Sequence, residues 1–312
     1  MADRVVILGS GAMGSLYGGM LAEAGVPVTL VDVWKEHMDA VNRDGLIIEG
    51  VSGDRVVRSL RGVTDPREAG EADLVLVFVK ATMTKAAMEG ARCLLGPDTA
   101  VLTLQNGLGN AEKLSDVAGA SRVLAGITGH GCNILGPGRI RHAGTGDTIL
   151  GELDGSATDR LARIAALFGR AGFSVKTSSN VLGMIWAKLL VNVGINALTA
   201  VTGLKNGRLV ELPEADELLE AAVREAMAVA ERKGIRVEAE DPVAHTRDVA
   251  RRTAANRSSM LQDVSAERQT EIDVINGAIV DEGKRLGVPT PVNLCLANLI
   301  RIRQQTYEER EK

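Results

Sequence analysis

Aromatic residues are nearly absent: three Phe, two Tyr and two Trp make up 2% of 312 residues. A nucleic-acid surface built on stacked bases would have little to work with in such a chain. A surplus of positive charge is missing too. Lys and Arg number 36 against 40 Asp and Glu, for a net charge of −4, and they are scattered among the acids, which argues against an electrostatic phosphate track. The most basic stretches, Arg251–Arg252 and Arg301 with Arg303, read as solvated helix faces. Cysteine is scarce: Cys93, Cys132 and Cys295 are odd in number, widely spaced and outside any CxxC pattern. That argues against a disulfide framework or a zinc site, and no metal is expected. Four histidines, His37, His130, His142 and His245, are equally dispersed and read as surface or loop residues. No apolar run approaches the roughly 18 residues of a membrane span. The N-terminus enters a strand within a few residues, without the apolar core of a signal peptide. These absences predict a cytoplasmic protein with neither membrane nor nucleic-acid partners.

An apolar fraction of 45% with 24% charged residues describes an ordinary globular chain, and its length favours two domains. In the first half, short β-branched runs alternate with helical stretches. RVVIL (4–8), VTLVD (28–32), LVLVFVK (74–80), AVLTLQNG (100–107) and VLAGIT (123–128) read as strands; the third is apolar on both faces, as in the middle of a parallel sheet. Strands separated by helices imply βαβ units. CNILGPGRIRHAG then reads as a hairpin about Gly-Pro-Gly, and with DTILGEL as an antiparallel extension of the sheet. From about Asn180 strands disappear. Helices are predicted over 218–234, from about Ser265 to Leu286, and from about Pro291 to Tyr307. The expected fold is α/β: an N-terminal Rossmann domain with a doubly wound parallel sheet over residues 1–178, followed by an all-helical substrate and catalytic domain over 179–312.

GSGAMG, residues 9–14, gives this layout a ligand. The string follows a predicted strand, opens a predicted helix, and an acid, Asp32, closes the next strand. Gly9 allows the tight turn, Gly11 lets backbone approach a pyrophosphate, and Gly14 permits close packing of helix on strand; the helix N-terminus offers N–H groups to phosphate. Gly9, Ser10, Gly11, Ala12, Met13 and Gly14 are therefore candidate dinucleotide contacts. Asp32 can accept from an adenosine ribose diol but repels a 2′-phosphate, so it favours NAD(H) over NADP(H). Lys35 and Lys80 are near enough in this layout to offer the opposite charge.

The helical half holds two polar concentrations. In WAKLLVNVGINALTA (186–200), Lys188, Asn192 and Asn196 recur at i, i+4 and i+8 on an otherwise apolar helix. Either they face a ligand cleft or they form a solvent-facing stripe; burying them without partners is costly. The second concentration, residues 256–279, contains Asn256, Ser258, Ser259, Gln262, Asp263 and Glu271. An acid near the lysine stripe would offset its charge.

Together GSGAMG, QNGLGN, WAKLLVNVGINALTA and SSMLQDVSAERQTEIDVING resemble the ketopantoate reductase family over essentially the whole chain. The resemblance implies reduction of ketopantoate to (R)-pantoate in pantothenate and coenzyme A biosynthesis, with NAD(P)H as cofactor. It implies Lys188 as the general acid for the substrate carbonyl oxygen and Glu271 as its acidic catalytic partner. Asn192 and Asn196 would contact substrate, Ser259 its carboxylate and Asn256 its hydroxyl groups. Asn106, in QNG, would lie by cofactor and substrate, and Lys80 joins the cofactor set. This chain departs from NADPH-using members, which usually carry a basic residue after the second strand; here Asp32, Val33 and Trp34 precede Lys35. Trp34 could pack on adenine or be a surface residue. Two alternatives stand beside this one: a family reductase of another branched 2-keto acid, and a non-catalytic NAD(P)-binding regulator, which would need neither Lys188 nor Glu271. A homodimer is expected, the apolar face around Leu218–Ala230 serving as core or interface.

Overall fold

The computed structural model describes residues 3–309. The chain divides into two compact units: the first runs through Gln105 and resumes over Asn110–Val181, while the second comprises Asn106–Gly109 and the chain from Leu182 onward.

The first unit contains twelve strands among its described residues: β1 (Val5–Leu8), β2 (Val28–Val31), β3 (Leu46–Gly50), β4 (Arg55–Val57), β5 (Leu60–Val63), β6 (Ala72–Val77), β7 (Leu95–Thr103), β8 (Val123–Thr128), β9 (Gly131–Gly136), β10 (Arg139–Gly144), β11 (Thr148–Glu152) and β12 (Val175–Thr177). Its helices are α1 (Ala12–Glu23), α2 (Lys35–Asp44), α3 (Thr84–Gly90), α4 (Asn110–Ala118) and α5 (Asp159–Arg170). The main sheet has the order β12-β11-β8-β7-β6-β1-β2-β5. From β5 to β8 all neighbours are parallel. Counted along the chain, those six strands lie in the order 3-2-1-4-5-6 of a doubly wound dinucleotide-binding sheet, whose switch point falls between β1 and β6. Leu74, Val75, Leu76 and Val77 of β6 are all buried, as their unbroken apolar run requires. Each such side chain contributes about 1.5–3 kcal/mol when fully removed from water.

Helix α1, AMGSLYGGMLAE, has no polar face, and Gly14 through Ala22 are buried without interruption. A helix apolar all round must be covered on both sides. The main sheet covers one. The other is covered by a second sheet, β4-β3-β10-β9, whose Leu46 and Ile48 side chains would collide with a Cβ on Gly19. This corrects the expected placement of the Gly-Pro-Gly hairpin. β9 and β10 do pair antiparallel, but β10 runs parallel to β3, with Ile140 opposite Ile48, and joins the second sheet. Burying Leu46, Ile48 and Ile140 on α1 explains the choice. The antiparallel extension of the main sheet is β11, paired with β8.

The second unit is helical, without a strand among its described residues: α6 (Val181–Thr202), α7 (Pro213–Arg232), α8 (Pro242–Arg252), α9 (Ser259–Ser265), α10 (Asn276–Leu286) and α11 (Pro291–Gln305). The helix expected over 265–286 is broken. Glu267 takes a positive φ of 52°, a short 3₁₀ turn spans Ile272–Val274, and Ile275, at φ −107° and ψ −97°, precedes α10. The polar run SAERQTEID offers no continuous apolar stripe to hold a helix against the core. A second correction concerns α6. An 18-residue window of it has a mean hydropathy of 1.6, so one helix is long and apolar enough to cross a membrane by length and composition. The expectation that no run reaches that length fails. Two-thirds of the window is buried inside the protein, as in the central helix of a bundle.

Candidate active site

In the first unit the candidate cofactor residues lie at the switch point. Gly9 has φ +94°, and a Cβ there would meet the backbone nitrogen of Val79 at 2.3 Å; a Cβ on Gly14 would meet the Gly9 carbonyl oxygen at 2.0 Å. Both positions are closed to any side chain. Gly11 differs: a Cβ there would meet nothing within 4 Å. Gly11 is also the N-cap of α1, with no side chain capping the helix and no acid in its first turn. Open space at an uncapped, acid-free helix start fits a pyrophosphate. Ser10, Ala12 and Met13 complete this turn. The Asp32 carboxylate accepts the Ser10 amide at 2.7 Å and the Trp34 amide at 3.0 Å, tying the turn after β1 to the turn after β2. Lys35 is exposed and paired with Asp39 at 2.6 Å. Lys80 is exposed where β6 gives way to a 3₁₀ turn over Ala81–Met83.

In the second unit three of the candidates converge. Lys188 is half-buried on α6. Burial pushes its ammonium down to about 8, and the Glu271 carboxylate opposes that fall. The Asn106 amide donates to Glu271 at 3.4 Å, at the long end of hydrogen-bonding range. Asn106 reaches this place because its loop is clamped to the segment after Glu271. The Leu108 amide donates to the Val274 carbonyl at 2.9 Å, and Gly107, at φ +82°, lies so close that a Cβ would stand 2.5 Å from the same oxygen. The broken helix is what allows the arrangement, since it leaves Glu271 at the start of a turn.

Asn192 and Asn196 follow Lys188 along α6. Asn192 is half-buried and Asn196 is 5% exposed; no hydrogen bond to either side chain occurs among the described residues. The serine pair divides its work. Ser258 is the buried N-cap of α9, accepting the Leu261 amide at 3.0 Å and lying 2.6 Å from Thr199 Oγ1. Thr199 already donates to the Ile195 carbonyl, so Ser258 donates to it and fixes the start of α9 beside α6. Ser259 and Asn256 are exposed, and no hydrogen bond or ion pair joins them to Lys188, Glu271 or Asn106 among the described residues.

Two of the four histidines, His37 and His142, correct the sequence reading. His37 is fully buried and His142 nearly so; His142 Nε2 lies 3.0 Å from Nδ1 of the half-buried His130. His245 alone is exposed. A signal for His37 was available: it shares a helix face with Ala40 and Val41 at i+3 and i+4, both buried. Two further polar residues that the motifs did not single out support these sites: Ser15, whose hydroxyl donates to the Ser10 carbonyl at 2.8 Å, and Thr199, which meets Ser258.

Comparison with known proteins adds the following. The family described as "Ketopantoate reductase PanE/ApbA" matches residues 5–155, and its C-terminal counterpart matches residues 180–304. A 2-dehydropantoate 2-reductase of Halobacterium salinarum is 41% identical over 304 residues, covering 97% of this chain and 99% of that protein. Among solved structures, a PanE/ApbA family ketopantoate reductase from Ralstonia eutropha is 36% identical with a TM-score of 0.91, covering 98% of this chain and 100% of the other. The structure of D-mandelate dehydrogenase with NADH and anilino(oxo)acetate also has a TM-score of 0.91, at 28% identity and the same coverage.

Proposed function

This chain belongs to the ketopantoate reductase family and is an oxidoreductase acting on a CH–OH group, and from that premise we propose that it reduces ketopantoate to (R)-pantoate in pantothenate and coenzyme A biosynthesis. The observation that carries the proposal is Lys188: a cation drawn down to about 8 by burial and opposed by one carboxylate, Glu271. A group of that pKa is largely protonated at neutral pH yet gives up its proton readily, which suits a general acid.

The glycine turn, Gly9 through Gly14, together with Asp32, Lys80 and Asn106, holds the dinucleotide. When bound, the reduced nicotinamide supplies the hydride that reaches C2 of the keto acid. Lys188 Nζ stabilises the charge that develops on the carbonyl oxygen and gives it a proton, completing the hydroxyl group. Glu271 holds the ammonium in its charged form, and Asn106 orients Glu271. Asn192 and Asn196, with amides uncommitted to any described side chain, orient the substrate; Ser259 takes its carboxylate and Asn256 its hydroxyl group.

NADH is the preferred cofactor in this proposal. Each Asp32 oxygen accepts one backbone amide and retains lone pairs for a ribose diol, while its charge opposes a 2′-phosphate. Lys35, the nearest compensating cation in sequence, is already paired with Asp39. A cytoplasmic homodimer without membrane attachment completes the proposal; Leu294, Leu299 and Ile302, exposed on α11, favour self-association.

One observation favours a second reading. The similarity to D-mandelate dehydrogenase points to a reductase of another 2-keto acid on the same scaffold. Purified protein is mixed with ketopantoate or with phenylglyoxylate, and oxidation of NADH and NADPH is followed separately. Ketopantoate-dependent oxidation, faster with NADH, is expected; turnover of phenylglyoxylate alone selects the second reading, and turnover of neither rejects ketopantoate as the substrate.

A further inference from the structure

Five residues around the glycine turn close on one another in a ring. The Ser10 amide donates to Asp32 Oδ2 at 2.7 Å, and Asp32 Oδ1 accepts the Trp34 amide at 3.0 Å. The Trp34 indole stacks on the His37 imidazole, centroids 4.8 Å apart and planes 19° from parallel. His37 Nε2 lies 3.0 Å from Ser15 Oγ, and Ser15 Oγ donates to the Ser10 carbonyl at 2.8 Å. Ser10 is thus held at both its amide and its carbonyl. A sixth contact enters from the second sheet: the Gly138 amide, in the turn between β9 and β10, meets His37 Nδ1 at 3.0 Å.

The protons of this ring have one consistent arrangement. An amide N–H only donates, so His37 Nδ1 accepts and Nε2 carries the hydrogen. Nε2 then donates to Ser15 Oγ, leaving the hydroxyl hydrogen for the Ser10 carbonyl. Every donor meets an acceptor, and only with a neutral imidazole.

We propose that His37 is a positioning residue of the cofactor site: as a neutral imidazole it joins the Ser10 peptide and the Trp34 ring into one rigid surface on which the adenosine half of the dinucleotide binds. The proposal rests on the reading that the glycine turn holds a dinucleotide. Fixing both parts before the ligand arrives removes an ordering penalty from binding, so His37 acts on cofactor affinity and leaves the chemical step alone. Protonation at Nδ1 would set two N–H groups against each other and open the ring. Burial holds the imidazole below its ordinary value, and the Asp32 carboxylate opposes this. On the elements packed against His37, α1 presents the uncharged Ser15, and Arg139 beside Gly138 is paired with Glu49. Among the described residues Asp32 is therefore the charge that bears on the ring, and the loss of affinity falls on the acid side of pH 6.5.

The test measures dissociation constants for NADH and NADPH at pH 5.5, 6.5 and 7.5, with kcat at saturating cofactor, for the wild type, H37L, H37Q and S15A. H37L and S15A are expected to weaken the binding of both dinucleotides by about tenfold at pH 7.5, the scale of one or two hydrogen bonds, with little change in kcat. H37Q, whose amide can accept from Gly138 and donate to Ser15, recovers part of the loss. Wild-type affinity falls as the pH drops below 6.5, and that fall is absent from H37L and H37Q. Wild-type affinity in both H37L and S15A, or an acid-side fall that persists in H37L, overturns the role of His37. If H37L does not fold, S15A and H37Q decide. A wild type that binds neither dinucleotide overturns the cofactor reading itself, and is recognised before any variant is made.

Discussion

The glycine turn of the first unit and the Lys188 cluster of the second are built in opposite ways. The turn is made of backbone: its contacts are amides, a carbonyl, a helix end and positions where no Cβ fits. The cluster is made of side chains, and its central feature is a charge kept partly out of water beside one compensating carboxylate. A backbone site fails when the main chain moves, and pH or a side-chain change reaches it only through the groups that hold the turn in place, here Asp32, Ser15 and His37. A side-chain site tolerates small shifts of the main chain and fails when one functional group is removed or titrated.

Lys188→Ala gives the largest separation of the two. Loss of a general acid is expected to lower kcat by about 10²–10⁴-fold with the NADH dissociation constant unchanged by fluorescence titration; a variant that turned over at the wild-type rate would remove Lys188 from the chemistry. Gly9→Ala is the reciprocal change. It puts an L-residue at φ +94° with its Cβ 2.3 Å from the Val79 nitrogen, where the left-handed conformation alone costs about 1–2 kcal/mol. Cofactor affinity should fall on the order of tenfold or more, thermal denaturation should begin earlier, and wild-type affinity in G9A would refute the backbone account. Asp32→Asn, at the edge of the turn, removes a charge while keeping one acceptor. The ratio of kcat/KM for NADH over NADPH should drop by on the order of tenfold, and an unchanged ratio would sink the cofactor preference.

The smallest effect concerns pH. With Lys188 as the acid, kcat/KM declines as pH rises through about 8, because the deprotonated amine has no proton to give. Glu271 raises the Lys188 pKa, so Glu271→Gln should move that limb toward lower pH, by about one unit. A limb that stayed in place would detach the two residues.

The backbone site was the easier to read. Glycine at positions 9, 11 and 14 has few reasons to recur, and strand, turn and helix lie next to one another in the chain, so local sequence carried the whole motif. The doubly wound character of the sheet followed from apolar runs separated by helices, although β5, one of its six parallel strands, has no such run to announce it. The partners of the side-chain site are far apart: residues 106, 188 and 271 meet only after the fold exists. Periodicity could mark Lys188 as anomalous on an apolar helix, but it could not choose between a cleft and a solvated face; the motif resemblance, not spacing, linked it to Glu271. The same limit hid the second sheet, since nothing local to CNILGPGRIRHAG says that Ile140 will lie opposite Ile48. His37 is hidden for a milder reason: residue type alone places a histidine at the surface, and only its position on the α2 face shared with Ala40 and Val41 marks it as buried.

The loop from Asn106 to Gly109 bears on how far the protein is modular. It lies between β7 and α4 in the chain yet belongs to the helical unit, held there by residues more than a hundred positions later. The polypeptide therefore passes between its two units three times. A gene fragment ending near residue 181 would not encode a self-contained module, because it would carry a loop whose docking surface had been left behind. Exchange of halves between relatives would have to respect a contact that a crossover near residue 181 separates: whoever inherits Gly107 must also inherit the backbone around Val274 that leaves room for a hydrogen atom and nothing larger.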